Sequence, residues 1–83
     1  MSVELRNRLE SLISDWVTDS DERAAVLAGK PLAEAMNVDS MALLDLVVRI
    51  EEAFAVVIEA ENLEALLQSI DTIEAGLSRL TDA

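Results

Sequence analysis

No cysteine, histidine or tyrosine occurs among the 83 residues of this chain, and it holds one proline, two glycines, one tryptophan and one phenylalanine. Without Cys or His there is no thiol nucleophile, no Ser–His or Cys–His pair, no thiolate or imidazole zinc site and no disulfide framework. The shortage of glycine, proline and aromatic residues disfavours a turn-rich β-domain. Cations are scarce too: six Lys and Arg stand against 17 Asp and Glu, for a net charge of -11. Such a balance repels nucleic-acid phosphate and anionic membrane, so neither is expected as a partner and a basic surface is. No apolar run approaches the roughly 20 residues that span a bilayer, and Met1-Ser2-Val3-Glu4-Leu5-Arg6 lacks the basic start and apolar stretch of a secretory signal. A cytoplasmic location is the expectation. A chain this short makes one small domain over residues 1–83 and buries only about 60–65% of its unfolded surface. Neither a deep-pocket enzyme nor catalysis by the chain's own side chains is expected, and no metal site is.

What is present is apolar: 52% of the residues, too many for a disordered acidic chain. Leu5, Leu9, Leu12, Ile13 and Trp16 fall on one helical face, with Ser2 placed to cap it, so the first helix is predicted over about Val3–Val17. Thr18-Asp19-Ser20-Asp21 breaks that pattern, and Ala24–Ala28 is long enough for a short helical turn before Gly29-Lys30-Pro31. The following stretch to Asp39 is a long connection anchored by Leu32, Met36 and Val38, with Asn37 suited to a left-handed turn. The second helix is predicted from Asp39-Ser40 to about Val56, with Leu43, Leu46, Val47, Ile50 and Phe54 as its core stripe. A short third helix is expected over Glu61–Ser69, carrying Leu63, Leu66 and Leu67 and closed by Ile70. The fourth runs from Asp71 to about Thr81, opened by a capping box from Asp71 to Glu74. The fold expected is all-α: a small four-helix bundle with a long loop between helices 1 and 2. Its core is predicted to contain Leu9, Leu12, Ile13, Leu43, Val47, Ile50, Phe54, Leu66, Leu77 and Leu80.

Two features of the second helix stand out. Its N-terminus is Asp39-Ser40; an Asp-Ser pair is usually no more than a cap, but this one opens the most hydrophobic helix, where free amides and the helix dipole favour an attached phosphate. A second apolar stripe, Met41, Leu44 and Val48, is turned away from the core stripe and flanked by Asp45, Glu51 and Glu52. This is a candidate contact surface. Arg49, the only cation on the helix, interrupts the acidic face; it could tune which partners fit, but a local ion pair with Asp45 or Glu52 is its expected role.

Val38-Asp39-Ser40-Met41 resembles the Asp-Ser-Leu signature of the acyl carrier protein family, with Met41 in place of the usual leucine. The likeness continues through Leu43, Leu46, Ile50, Glu51-Glu52, Phe54 and Val57-Ile58, and upstream through Leu32, Glu34 and Met36, so nearly the whole chain takes part. The resemblance implies 4'-phosphopantetheine on Ser40, beside its motif neighbour Asp39, transferred from coenzyme A by a separate phosphopantetheinyl transferase. It also implies acyl cargo held as thioesters and presented to acyl-loading, condensing or modifying enzymes of fatty acid, polyketide or related biosynthesis. Docking would use Met41, Leu44, Asp45, Val48, Glu51 and Glu52 against basic patches, with a monomeric carrier. The missing cysteine fits, because the arm would then supply the only thiol. Asn37 stands where the family often has Gly. Glu59-Ala60-Glu61 lacks a common Pro, and Leu63–Ser69 is longer than in the common fatty-acid carriers, which predicts an elongated third helix.

Other readings are weaker. Glu51 and Glu52 point about 100° apart on a helix and cannot converge on one bond, so paired-carboxylate catalysis is set aside. Asp19-Ser20-Asp21-Glu22 lacks a calcium-binding loop. Trp16 belongs with the core stripe. An acyl chain could enter a cavity between helices 2 and 3 lined by Leu46, Ile50, Leu63 and Leu67. The alternatives to an acyl carrier are a peptidyl or aminoacyl carrier, against which the acidic bias weighs, and an acidic helical adaptor that never bears the arm.

Overall fold

The computed structural model describes residues 3–36 and 39–81. Ser2, Asn37 and Val38, expected to cap, turn and anchor, lie outside the described residues. Within them every regular element is helical. α1 (Val3–Trp16) buries Leu9 and Ile13, and Val17 directly after it is buried as well. α4 (Ser40–Phe54) buries Leu46, Val47, Ile50 and Phe54, and α6 (Ile70–Thr81) buries Ile70, Ile73 and Leu77. α1 packs against both, so one core runs between the three long helices.

The connection expected as a long loop is itself largely helical. Asp19, read as part of a break, is the N-cap of α2 (Ser20–Leu27): its carboxylate accepts from the amides of Asp21 and Glu22 at 2.8 and 3.1 Å. The same residue types that interrupt one helix start the next. α2 ends in a Schellman motif, with Gly29 N–H on the Val26 carbonyl and Lys30 N–H on the Ala25 carbonyl, both at 3.1 Å. Gly29 takes φ +100°, the left-handed region that favours glycine; a Cβ there would also sit 2.9 Å from Asp71 Oδ2, an exposed carboxylate end that can move aside. α3 (Leu32–Ala35) follows, with Leu32 buried and Met36 half-buried. Leu32 N–H donates to the Gln68 carbonyl at 2.8 Å, which ties this connection to the segment that precedes α6.

The third predicted helix is shorter than expected, and its elongation does not occur. A 3₁₀ turn (Ala60–Asn62) leads into α5 (Leu63–Leu66), only four residues long. The cause lies in Ser69 and Thr72. Ser69 N–H donates to Thr72 Oγ1 and Thr72 N–H to Ser69 Oγ, a reciprocal cap that starts α6 at Ile70. Ile70 therefore opens the last helix, fully buried, where the sequence pattern had it closing the previous one. The box predicted from Asp71 to Glu74 is displaced by two residues, and those acids do other work: Arg6 donates to Asp71 at 2.9 Å and Glu74 at 2.8 Å, and to Glu10 at 3.0 Å.

Three core assignments also change. Leu12 and Leu43 are only half-buried, and Leu80, in the last turn of α6, is exposed along an open surface cleft. Val17, Val26, Leu32, Leu67, Ile70 and Ile73 fill the interior in addition to the predicted set. Trp16 is half-buried against it. Arginines close the helix ends: Arg23 donates to the Val17 carbonyl after α1, and Arg8 donates to the Ala53 carbonyl at 2.6 Å while stacking 4.7 Å over Phe54.

Candidate functional site

α4 begins where Asp39, in extended conformation, turns its carboxylate onto the amide of Ala42 at 2.9 Å. Ser40 is the first helical residue and both it and Asp39 are exposed. The amides of the first turn precede the intrahelical ladder, and the summed peptide dipoles leave this end of a 15-residue helix partly positive. An anionic phosphodiester on the Ser40 hydroxyl would be stabilised there, in reach of solvent and of any enzyme that installs it.

Ser40 stands at the rim of an open groove of about 660 Å³. One wall is Leu43, Leu44 and Val47 of α4; the other is Leu63 and Leu67 around α5. Gly29, Pro31 and Ala33, together with Gln68, Ser69 and Thr72, complete its border. The two hydroxyls among them are engaged within the fold: that of Thr72 is shared between the carbonyls of Leu66 and Ser69, 2.8 Å from each, and that of Ser69 accepts the Thr72 amide. What remains facing the groove is mostly aliphatic. Glu64 is the one ionisable residue among its described lining.

The sequence placed a cavity at this helix pair but with a different lining. Leu46 and Ile50 are fully buried in the core and do not face the groove; of the four residues predicted, Leu63 and Leu67 do. The signal that identifies the true wall was present, because 40, 43, 44 and 47 follow the i, i+3, i+4, i+7 spacing of one helix face. Pro31, Ala33 and Gln68 carried no comparable signal, since they arrive through the Leu32–Gln68 backbone bond.

Met41, Leu44 and Val48 are exposed at 75, 54 and 50%, a continuous apolar strip that starts one residue after Ser40. The acids beside it are engaged in different ways. Asp45 pairs with Arg49 at 2.9 Å, as its spacing predicted, and both side chains stay about half-exposed. Glu51 is half-buried and accepts the Ile58 amide at 2.8 Å, which holds the chain after α4 back against the helix. Glu52 is exposed.

A second cleft, about 610 Å³, lies between residues 57–59, α5 and α6 and does not include Ser40. Among the described residues no cluster of acids could hold a metal ion, and no helix is long and apolar enough to cross a membrane.

A family model described as the phosphopantetheine attachment site matches residues 7–77. No curated protein and no solved structure matches the chain. An exposed serine opening a helix beside an aliphatic groove fits such an attachment point, and the match spans most of the fold described above, so the chain belongs to the phosphopantetheine attachment family, carrier domains to which 4'-phosphopantetheine is covalently joined.

Proposed function

We propose that Ser40 bears the 4'-phosphopantetheine arm and that the protein is an acyl carrier serving enzymes of fatty acid, polyketide or related biosynthesis. The observation that carries this reading is the position of Ser40: exposed, at the positive end of α4, on the rim of the aliphatic groove. In the attachment step the Ser40 oxygen attacks the phosphorus of coenzyme A that bears pantetheine. The new P–O bond makes the phosphodiester, the bond to the departing 3',5'-ADP breaks, and the serine proton goes to a base on the transferase. Asp39 is oriented for a structural part in this, because its carboxylate is committed to the Ala42 amide and keeps the first turn closed. Once attached, the arm supplies the thiol on which acyl groups travel as thioesters.

The groove supports acyl cargo. Its aliphatic walls would take up the hydrocarbon of a chain folded back from the arm, with the favourable burial of apolar surface. Met41, Leu44 and Val48 form the dry centre of the docking face, with Asp45, Glu51 and Glu52 around it. The working unit is a monomer, one carrier domain over residues 1–83, in the cytoplasm with its coenzyme A-dependent transferase. The catalytic acids and bases belong to its partners.

The test is the intact mass of the protein before and after incubation with coenzyme A, magnesium and a broad-specificity phosphopantetheinyl transferase, with fragmentation to locate the addition. Addition of one phosphopantetheine mass on Ser40, abolished by Ser40→Ala, is expected. A folded protein left unmodified by a transferase active on a control carrier overturns the reading and favours a helical adaptor. Loading of fatty acyl but not aminoacyl groups onto the modified protein tests the cargo class.

A further inference from the structure

Any enzyme acting at Ser40 must approach the N-terminal half of α4, where Met41, Leu44 and Val48 present the exposed apolar strip. The charges bordering that strip are not a uniform acidic field. Glu51 is folded back onto the Ile58 amide, and Asp45 is neutralised across one helical turn by Arg49. Arg49 is itself about half-exposed and sits next to Val48, with Glu52 three residues on. Four of the five arginines are engaged within the described fold, and three of those contacts tie helices or their ends together: Arg6 to α6, Arg8 to the end of α4, and Arg23 to the end of α1. Arg49 is different. Its pair with Asp45 stays within one exposed turn of α4 and joins no second element, and such pairs contribute only about 0.3–0.5 kcal/mol to stability. Its position is thus better explained by what it shows to a partner.

We propose that Arg49 is a partner-selecting residue: it favours enzymes whose docking surface sets a carboxylate opposite it and disfavours surfaces that carry only basic residues. The inference rests on Ser40 being the attachment point. A purely basic patch gains from Asp45 and Glu52 but is repelled by the guanidinium between them. A patch with one acid beside its bases meets both ends of the Asp45–Arg49 pair. Charge of this kind at the rim of a contact acts mainly on encounter and discrimination between partners.

The experiment measures kcat/KM for arm transfer by a phosphopantetheinyl transferase whose docking patch holds only basic residues, at low and high ionic strength. Arg49→Gln should raise it roughly threefold and Arg49→Glu roughly tenfold at low salt, through KM, while Asp45→Asn lowers it roughly threefold. These differences should collapse in about 1 M salt, where screening extends over only about 3 Å. Arg79→Glu makes the same change in net charge on α6 and should leave the rate within about twofold, which separates local placement from total charge. Replacing one base of the transferase patch by Glu should invert the order, so that the natural sequence outpaces Arg49→Glu. Circular dichroism checks that each variant keeps its helices. Unchanged or slower transfer to both Arg49 variants, or a gain that persists in high salt, overturns the proposal. Failure of every protein, the natural sequence included, to gain mass on Ser40 overturns the attachment reading instead, and this inference with it.

Discussion

Arg6 holds the first and last helices together, and its removal gives the sharpest test of how this fold is stabilised. Its guanidinium reaches Glu74 at 2.8 Å, Asp71 at 2.9 Å and Glu10 at 3.0 Å. Glu74 is the buried member, the only polar residue in the buried set among those described. Arg6→Ala leaves that carboxylate without its cation. Breaking a fully buried pair costs roughly 3–5 kcal/mol; the partial exposure of Arg6 admits water and brings this to about 2–3 kcal/mol. The more exposed Glu10 and Asp71 add only a few tenths of a kcal/mol each. The loss is thus about 3 kcal/mol from a domain whose total stability is of order 4–12 kcal/mol, and the melting temperature should fall by roughly 10–20 °C. Arg6 has its pKa raised, first by the hydrogen bond to Asp71 and next by that to Glu10. A raised cation stabilises at every pH below its unfolded value and loses that contribution only as pH climbs through the folded one, here beyond the ordinary arginine range. The penalty should accordingly be flat from about pH 7 to 10. Thermal melts of Arg6→Ala, Glu74→Leu and the double variant measure it. The double variant should recover at least about 1.5 kcal/mol relative to the sum of the single losses, because both charges are gone together. A loss below about 0.5 kcal/mol for Arg6→Ala, or simple additivity, would refute the clamp.

Three further outcomes follow from single positions. Ala55 ends α4 in the left-handed region at φ 55°, so Ala55→Gly should relieve about 1–2 kcal/mol of backbone cost, less the entropy glycine adds to the unfolded chain; a net gain of roughly 0.5–1 kcal/mol in urea unfolding is expected, and a loss contradicts it. Gly29→Ala meets both φ +100° and the Asp71 carboxylate and should cost at least about 1–2 kcal/mol by the same assay, with a neutral result counting against the Schellman turn as described. Ser40→Ala, at an exposed first helical position, should change stability by less than about 0.5 kcal/mol while abolishing the phosphopantetheine mass gain, and retention of the gain would move the attachment point elsewhere.

Long amphipathic periods were legible in the sequence and short local contests were not. α1 and α4 declare themselves because their stripes run for three turns or more and each position adds to the same face. Between Leu63 and Leu80 the pattern predicts a break at Ile70, and the chain makes it earlier, after Leu66. Ser69 carries no more helix-breaking signal than Ser78, which lies within α6. What decides between them is Thr72, placed to exchange two hydrogen bonds with Ser69 and to occupy the carbonyls of Leu66 and Ser69 at the end of α5. Asp71 and Glu74 mimic that signature two residues later, and only the position of Arg6 on another helix shows why they are acidic.

The site follows the same division. Ser40 and the strip from Met41 are consequences of one helix and could be read from it, as could Leu63 and Leu67 opposite, whereas the border at Pro31 and Ala33 is one that local pattern cannot place. That border depends on α5 being short. Had the helix continued through Gln68 and Ser69, the Gln68 carbonyl would bond four residues ahead within its own helix, and Leu32 N–H would lose the acceptor it now finds 2.8 Å away. Pro31 and Ala33 would then have no reason to border the groove. The early stop of α5 and the proposed cargo groove beside Ser40 are accordingly one feature: the cap that ends the helix also releases the carbonyl that brings Pro31 and Ala33 into place. Thr72→Val, which keeps the shape and removes the hydroxyl, should therefore perturb amide resonances at Leu32 and Ala33 as well as at Ser69. Shifts confined to α6 would show that the border is held by other means.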